Sequence, residues 1–394
     1  MKQDDIVIVA AKRTPCGAML GHLSPLSAVE LGAIAHQAAI AEAGINPNDI
    51  SEVISGCVLP AGLRQAPARQ AALKANIPNS VGATTLNKVC GSGMKAVMLA
   101  HDLIKSGSAS IVLAGGMESM SNAPYLLGKA RSGYRLGHGE LIDHMLYDGL
   151  EDAYDKGKSM GCFADATAKE FKFTREQQDA YAIRSMKRAI HAQKSGAFND
   201  ELVPVTISGR KGDTMVTLDE GPDEAKIAKI SQLRPAFSTD GTVTAGSSSS
   251  ISDGAASLIL MTAGEAEKRG IKPLAKIVAH ASHAQEPQWF TTAPVEAIRK
   301  VLTKAGWQPN QVDLYEINEA FAIVAMVAIS ELELDDETVN IHGGACALGH
   351  PIGASGARIL VTLIHALKHK KKTKGVASLC IGGGEATAIA IELV

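Results

Sequence analysis

Apolar residues in this chain gather into short unbroken runs rather than alternating with polar ones. Runs at 6–10, 53–59, 110–114, 255–261, 275–280, 312–316, 376–379 and 386–393 are bounded by Gly, Pro or polar turn residues. Such runs read as strands covered on both faces. Between them lie stretches with helical spacing at 28–43, 66–75, 94–104, 294–305, 319–330 and 357–367. Gly44 is placed to end the first of these in a left-handed turn. Strands alternating with helices predict βαβ units and a mostly parallel sheet.

The pattern changes after Ser119. Residues 121–165 are polar, glycine-rich and weakly periodic, and carry Lys129, Arg131, Arg135 and His138. That basic group reads either as a solvated loop or as a loop facing another subunit or a phosphate. Thr174-Arg175-Glu176-Gln177 is a capping box that opens a helix to about Lys194. The seven residues Thr244-Ala245-Gly246-Ser247-Ser248-Ser249-Ser250 read as a linker or, because a strand follows, as a ligand contact. The organisation expected is an N-terminal core of 1–118 and 250–272, a loop domain of 119–249, and a C-terminal core of 273–394.

The two cores share a plan. Gly91-Ser92-Gly93 precedes a helix and a strand that ends in Gly115-Gly116-Met117-Glu118. Ala354-Ser355-Gly356 precedes a helix and a strand that ends in Gly382-Gly383-Gly384-Glu385. This suggests one βαβ unit, duplicated and diverged. Paired face to face, the copies would bring two helix amino ends to one crevice.

Bulk properties narrow the function. At 394 residues the chain has room for two or three domains. Its net charge of −2 offers no field for nucleic acid or an anionic membrane. No apolar run is long enough to span a bilayer. The opening Met1-Lys2-Gln3-Asp4-Asp5 leads into a strand without a leader profile. Cysteines at 16, 57, 90, 162, 346 and 380 form no CxxC pair, which argues against a disulfide framework or a zinc ribbon. A reducing cytoplasm is the expected home. The Lys368–Lys374 run reads as a solvated helix end, where cations suit the dipole.

Candidate chemistry sits at four junctions. Cys90, in Asn87-Lys88-Val89-Cys90-Gly91-Ser92-Gly93, lies where a strand meets a helix amino end; unpaired N–H groups and the dipole there favour a thiolate. Its alternative is a small core residue. His350, fixed by Pro351 within Gly343–Gly356, is placed to take a thiol proton. Cys346 and His350, spaced C-x3-H, lack the further ligands a zinc site needs. Cys380 ends an apolar strand before three glycines, and its thiol suits general acid–base work. N–H groups of that glycine turn suit an oxyanion hole. Asn318, in Asn318-Glu319-Ala320-Phe321-Ala322, can donate a hydrogen bond directly or through water.

These four stretches, in this order, resemble the thiolase family, and the likeness runs from Ile6–Pro15 to Cys380–Gly384. The resemblance implies a five-layered αβαβα core of two duplicated halves with an inserted loop domain. It implies an acetyl-CoA C-acetyltransferase working by ping-pong Claisen condensation or thiolysis. Cys90 would carry the acyl group, His350 would activate it, and Cys380 would move the α-proton. N–H groups of Cys90 and Gly382 would hold one oxyanion, Asn318 and His350 the enolate. Coenzyme A would run past Ala245, Ser249, Leu233 and Phe237, with Met160, Ala320 and Phe321 at the acyl group. CoA thioesters would be substrates, with no cofactor and no metal. The segment near Arg131 falls in the family's tetramerisation loop, implying a homotetramer, a dimer of dimers. A degradative thiolase of longer 3-ketoacyl chains and a weakened acyl-CoA-binding protein are the alternatives; a cysteine hydrolase fits less well.

The sequence departs from the family pattern at His342 and Ser247, both commonly asparagine, and at Glu385, commonly apolar. The loop at Gly221-Pro222 lacks the basic residue that often meets the adenosine phosphate; Lys226 or Lys229 is expected to substitute.

Overall fold

The computed structural model describes all 394 residues. Nine strands make its framework: β1 (Ile6–Arg13), β2 (Glu52–Gly56), β3 (Gly82–Leu86), β4 (Ile111–Ser119), β5 (Ser252–Thr262), β6 (Ala275–Ala284), β7 (Leu314–Ile317), β8 (Lys374–Ile381) and β9 (Glu385–Leu393). Their order is β7-β8-β9-β6-β1-β5-β4-β2-β3, with the short Gly17–Ala18 strand added on β5. β1 and β6 share only the pairs Val7↔Lys276 and Ile8↔Ala275. The path is therefore two sheets that touch at their edge strands.

The halves repeat each other. In the first, β1, β5 and β4 are successively antiparallel, then β2 and β3 follow parallel. In the second, β6, β9 and β8 are antiparallel, β7 is parallel, and a parallel bridge Tyr315↔Val339 stands where a fifth strand would. Each edge ladder carries a bulge at the same place, Ile8/Ala10 and Ile277/Ala279. Followed outward from the bulges, the registers match Leu113 with Val376 and Val53 with Tyr315. Further along the same strands Met117 then matches Cys380, Glu118 matches Ile381, and Gly56 matches Asn318.

This corrects the glycine-cluster alignment expected from sequence. Gly115 and Gly116 lie inside β4, where a Cβ would come 2.0 Å from the carbonyl oxygens of Ala256 and Gly353 respectively. Gly382–Gly384 instead form the turn between β8 and β9, and Gly383 and Gly384 have φ of 90° and 88°. One doublet exists for close approach, the other for a left-handed backbone.

Five layers follow from strand alternation. Ile6 and Ile8 of β1, with Ile389 and Ile391 of β9, face a shared middle core. Val7 and Val9 face an outer core under helix α1 (Ala28–Ala43). Ala388 and Ala390 face another outer core, under α3 (Ala293–Ala305) and α4 (Ala322–Glu331). The middle layer holds α2 (Ser92–Lys105) and α5 (Ser355–Lys370), and α5 is buried all round from Ser355 to Leu367. These helices touch at their first turns. A Cβ on Gly93 would lie 2.9 Å from Ala357 N, and one on Gly356 2.5 Å from Met94 N. Glycine thus sets how closely the two amino ends approach.

Between β4 and β5 the chain leaves the first sheet. It forms the hairpins Tyr125–Leu127/Leu141–Asp143 and Val205–Ile207/Thr214–Val216, and the helices Met160–Glu170 and Arg175–Ser195. The Thr174/Gln177 capping box is present, and Gly196 ends the helix with φ 75°. No helix is long and apolar enough to cross a membrane.

Candidate active site

Cys90 stands on a strained elbow. β3 ends at Leu86, α2 begins at Ser92, and between them Val89 has φ 46°, a rare conformation for a β-branched residue. Local hydrogen bonds hold it. Val89 N donates to Asn87 Oδ1 at 2.8 Å, Lys88 N donates to Ser92 Oγ at 2.8 Å, and Ser92 Oγ donates to Val89 O at 2.7 Å. The helix therefore starts at Ser92 rather than at Met94. Cys90 is half-buried, and burial pushes its thiol up to about 11, against a backbone N–H from Gly382 that pulls it down. Burial thus acts on Cys90 in the direction opposite to the helix amino end, favouring the thiol.

The second amino end presents His350. Ser355, the first residue of α5, donates its hydroxyl proton to Pro351 O at 2.9 Å. Its oxygen is then an acceptor for His350 Nδ1, 2.5 Å away. That fixes the proton on Nδ1 and leaves the Nε2 lone pair free. Nε2 is buried without a partner. Burial, with Arg358 nearby, lowers the imidazole to about 3, so it is neutral. The backbone N–H of His350 is held by Ser250 O at 3.1 Å and Ser252 Oγ at 3.2 Å.

The third component comes from the end of β8. Cys380 is fully buried, and its thiol is raised by burial and by neighbouring Cys90. The Cys90 turn rests on the residues after Cys380: a Cβ on Gly91 would meet Ile381 Cδ1 at 2.4 Å, and the Gly382 N–H reaches the Cys90 sulfur. Two thiols from opposite halves thus share one environment. Asn318, just past β7, is buried, and its Nδ2 has no partner. His350 Nε2, an acceptor, and Asn318 Nδ2, a donor, thus lack partners, as do Nε and Nη1 of Arg358, whose Nη2 donates to Asn318 Oδ1 at 3.5 Å.

A cavity of about 570 Å³ reaches His350, while Cys90, Cys380, Gly382 and Asn318 are not part of its lining. His350, Ala245, Ser249 and Ala320 line it, as do Met160, Phe237 and Phe321. Met160 Sδ lies 3.4 Å from where a Cβ of Gly382 would be. Phe237 lies on Gly161, which has no side chain to obstruct it, and meets Phe321 edge-on with centroids 5.8 Å apart. Leu233 does not line the cavity; it packs against Gly246. The serine loop is stitched in place, since Ser249 N donates to Ala320 O at 2.9 Å and Ser248 bridges to Phe321. Asn318–Ala320 turn, with Ala320 N donating to Asn318 O at 3.0 Å, Phe321 is extended, and α4 starts at Ala322, not at Glu319 as its apolar spacing suggested.

The departures have local explanations. Ser247 is buried and its hydroxyl accepts from Thr244 N at 2.9 Å, locking its own turn. His342 packs edge-on against Phe198 and is lowered to about 4, chiefly by burial. Asn340 does the bridging nearby: its Oδ1 accepts from Ile317 N and its Nδ2 donates to Glu319. Glu385 pairs with Lys88, and the Cys380 thiol is raised by burial first and then by Cys90. Lys226 is committed to Gly221 O, whereas Lys229 is exposed and makes no ion pair or side-chain hydrogen bond. Cys346 donates to Glu319 O, and His350 Nδ1 is engaged by Ser355.

Two buried carboxylates were not foreseen from sequence. Glu118 accepts from Val58 N, Leu59 N and Gly353 N at 2.9–3.1 Å, and from the Cys57 thiol. It ties the chain after β2 to the His350 turn, and burial raises it to about 7. Glu319 accepts from Tyr181, Ser185, Asn340 and Cys346 N, and a Cβ on Gly344 would overlap it. The available signal was the Gly343-Gly344 doublet: a doublet that needs bare backbone implies a bulky neighbour.

The family profile described as "Thiolase, N-terminal domain" matches residues 6–264, and "Thiolase, C-terminal domain" matches 271–393. Acetyl-CoA acetyltransferase 2 of Arabidopsis thaliana is 52% identical over 393 residues, 99% of this chain and 97% of that protein. An acetyl-CoA acetyltransferase of Cupriavidus necator is 49% identical over 390 residues, covering 98% and 99%. The crystal structure of the Bacillus anthracis acetyl-CoA acetyltransferase superposes with a TM-score of 0.96 at 42% identity, covering 99% of both chains.

Proposed function

The chain belongs to the thiolase family, and on that premise we propose that it is an acetyl-CoA C-acetyltransferase, joining two acetyl-CoA into acetoacetyl-CoA and CoA and running the reverse thiolysis. The reading rests on one observation above others: Cys90 and Cys380, from opposite halves, are neighbours, and His350 Nε2 and Asn318 Nδ2 are buried with no partner within the protein.

The steps follow from those groups. Because Cys90 rests as a thiol, its proton passes to His350 Nε2 as the sulfur attacks the thioester carbon. The tetrahedral oxyanion takes the N–H groups of Cys90 and Gly382. CoA leaves with the proton of the Cys380 thiol, and the acetyl group stays on Cys90. A second acetyl-CoA gives an α-proton to the Cys380 thiolate so formed. Asn318 Nδ2 and the protonated Nε2 of His350 hold the enolate oxygen. The α-carbon attacks acetyl-Cys90, and the departing Cys90 sulfur takes its proton back from His350. Each well-placed oxyanion donor is worth about 3 kcal/mol in such a transition state.

Met160 against Gly382, and the Phe237–Phe321 pair, favour a short acyl group over the long-chain alternative. Ala245, Ser249, Ala320 and Phe237 would line the pantetheine path, with Leu233 behind it and the unpaired Lys229 available to the adenosine phosphate. Residues 119–249 serve in this reading as the loop domain between two cores. Residues 127–141 are exposed throughout, including the apolar Leu127, Leu136 and Leu141. That exposure supports assembly through this loop, and the proposed assembly is a tetramer; the proposed home is the cytoplasm.

Intact-mass measurement after acetyl-CoA addition tests the core of the proposal. Acetyl on Cys90 is expected; stoichiometric CoA binding without acylation would leave only a binding protein. A series of 3-ketoacyl-CoA lengths should show the highest kcat/KM at four carbons. Lys229→Ala should weaken CoA binding, and unchanged affinity would remove Lys229 from the site.

A further inference from the structure

At the far end of α2, three ligand-type atoms converge from both halves. His101 and Asp102 lie on the last turns of α2, and His280 lies on β6. His280 Nε2 is 2.9 Å from Asp102 Oδ1 and 3.2 Å from His101 Nδ1. His101 Nδ1 is 3.0 Å from the same Asp102 oxygen. The rings stand nearly perpendicular, at 83°, with centroids 4.9 Å apart. Both histidines are mostly buried at 19% and 17% side-chain exposure, whereas Asp102 is 53% exposed.

We propose that His101, Asp102 and His280 form a binding site for a divalent transition metal of the zinc type, clipping α2 of one half to β6 of the other. Zinc takes imidazole nitrogen and carboxylate oxygen at about 2.0–2.2 Å, in tetrahedral sites whose donors stand about 3.3 Å apart. The three edges here are 2.9, 3.0 and 3.2 Å, so the donors need to spread only a few tenths of an ångström. An ion at such a bond length from all three would sit about 1 Å out of their plane. The exposed Asp102 side leaves a fourth position to water. The chemistry of the set is borderline, two imidazoles and one carboxylate, which selects zinc, cobalt or nickel over calcium or magnesium. A metal also needs unprotonated imidazoles, so binding should weaken as pH falls. Lys304 Nζ donates to the His280 carbonyl at 3.0 Å; its charge opposes a cation, which places the site among exchangeable rather than permanent ones. No other group of three such donors converges this way in the chain.

The site lies outside the acyl-transfer chemistry, so its test does not depend on activity. Titration of the whole protein with Co²⁺ alone should produce the visible bands of four-coordinate cobalt at one equivalent, without sulfur-to-cobalt charge transfer. Zn²⁺ should displace the cobalt and raise the melting temperature. His280→Gln and the conservative Asp102→Asn should each weaken binding by about tenfold or more, since even outer partners of a ligand cost that much. Asp102 is exposed, so its variant keeps the test open should His280→Gln fold poorly. Bands carrying thiolate charge transfer, or titrations of wild type and Asp102→Asn that coincide, would overturn the proposal.

Discussion

Glu118 and Ile381 occupy matching positions in the two halves, each near the end of the strand that follows a middle helix. Each reaches across to the turn that starts the other half's helix. A Cβ on Gly353 would meet Glu118 Oε2 at 2.6 Å, and a Cβ on Gly91 would meet Ile381 Cδ1 at 2.4 Å. The contact is reciprocal, but the chemistry is not. The histidine turn is gripped by a buried carboxylate through the Gly353 N–H. The cysteine turn rests on a methyl group and is stiffened from within by Asn87 and Ser92. A base must keep one tautomer and one direction, which hydrogen bonds enforce. A nucleophile, the role proposed for Cys90, must change partners during turnover, and an apolar seat makes no hydrogen-bond claim on it. Duplication supplied two equivalent sockets, and divergence gave them different cargo.

The bluntest way to separate the sockets is to remove the cargo. Cys90→Ala should reduce turnover by about 10⁴-fold or more, because no other group can hold the acyl chain. The protein should still fold and bind CoA, checked by melting and by titration. Residual acyl transfer within tenfold of wild type would mean that the elbow does not carry the nucleophile.

The Glu118 grip makes a sharper, pH-dependent claim. Its folded value, about 7, lies above the ordinary 4.5. A carboxyl raised in this way stabilises the fold fully below the unfolded value, and the contribution is lost as pH rises through about 7. The shift corresponds to about 3 kcal/mol. Glu118→Gln cannot ionise, so its stability relative to wild type should improve by that order between pH 4.5 and above 7. Denaturant melts of both proteins across this range check it. Parallel curves would mean that the carboxylate is ionised throughout, held by its three N–H donors.

Ser355 and Ser92 offer the matched pair, because each begins its middle helix and each donates back to the turn before it. Ser355→Ala removes the acceptor that fixes His350 Nδ1, and kcat should fall by about 10–100-fold, a typical cost of misplacing a catalytic group. The alkaline and acid limbs of the pH–rate profile should shift, which a purely structural loss would not cause. Ser92→Ala should instead mainly lower stability, by about 1 kcal/mol for a lost turn hydrogen bond. Equal losses of kcat in both would erase the distinction between the sockets.

These contrasts mark where sequence stops being informative. The strands were legible because their apolar runs are unbroken, and the capping box at Thr174 because it is local. The strand expected over 53–59 ends at Gly56, since Val58 N and Leu59 N bond the Glu118 carboxylate instead of a neighbouring strand. The start of α4 shifted for a similar reason, the serine loop claiming Ala320 and Phe321. The four residues to which the proposed chemistry is assigned stood out in the sequence through their junctions and the family likeness. Their charge states were not: the thiolate preference argued from the helix end gave way to burial, which only tertiary packing sets. Glu118 and Glu319 were hidden because a carboxylate in sequence looks the same whether it meets water or three backbone donors.

The smallest expected effect concerns the one ion pair that joins the two turns directly. Lys88 precedes the Cys90 elbow, and Glu385 follows the Gly382–Gly384 turn; their side chains are 22% and 36% exposed. Both sit where water can screen them, so their coupling should be about 0.5 kcal/mol and should shrink with added salt. A double-mutant cycle of Lys88→Ala and Glu385→Ala, read by denaturant melts, measures it. Removing Lys88 alone is the more telling arm. It frees the Glu385 carboxylate in the segment that leads away from Cys380, and a like charge there would raise the Cys380 thiol further. The expected signature is a slower condensation step, read as deuterium exchange at the acetyl α-carbon, with Cys90 acylation unchanged. If acylation slows and exchange does not, the pair instead stiffens the nucleophile's elbow, and the apolar seat under Gly91 is not enough to hold it.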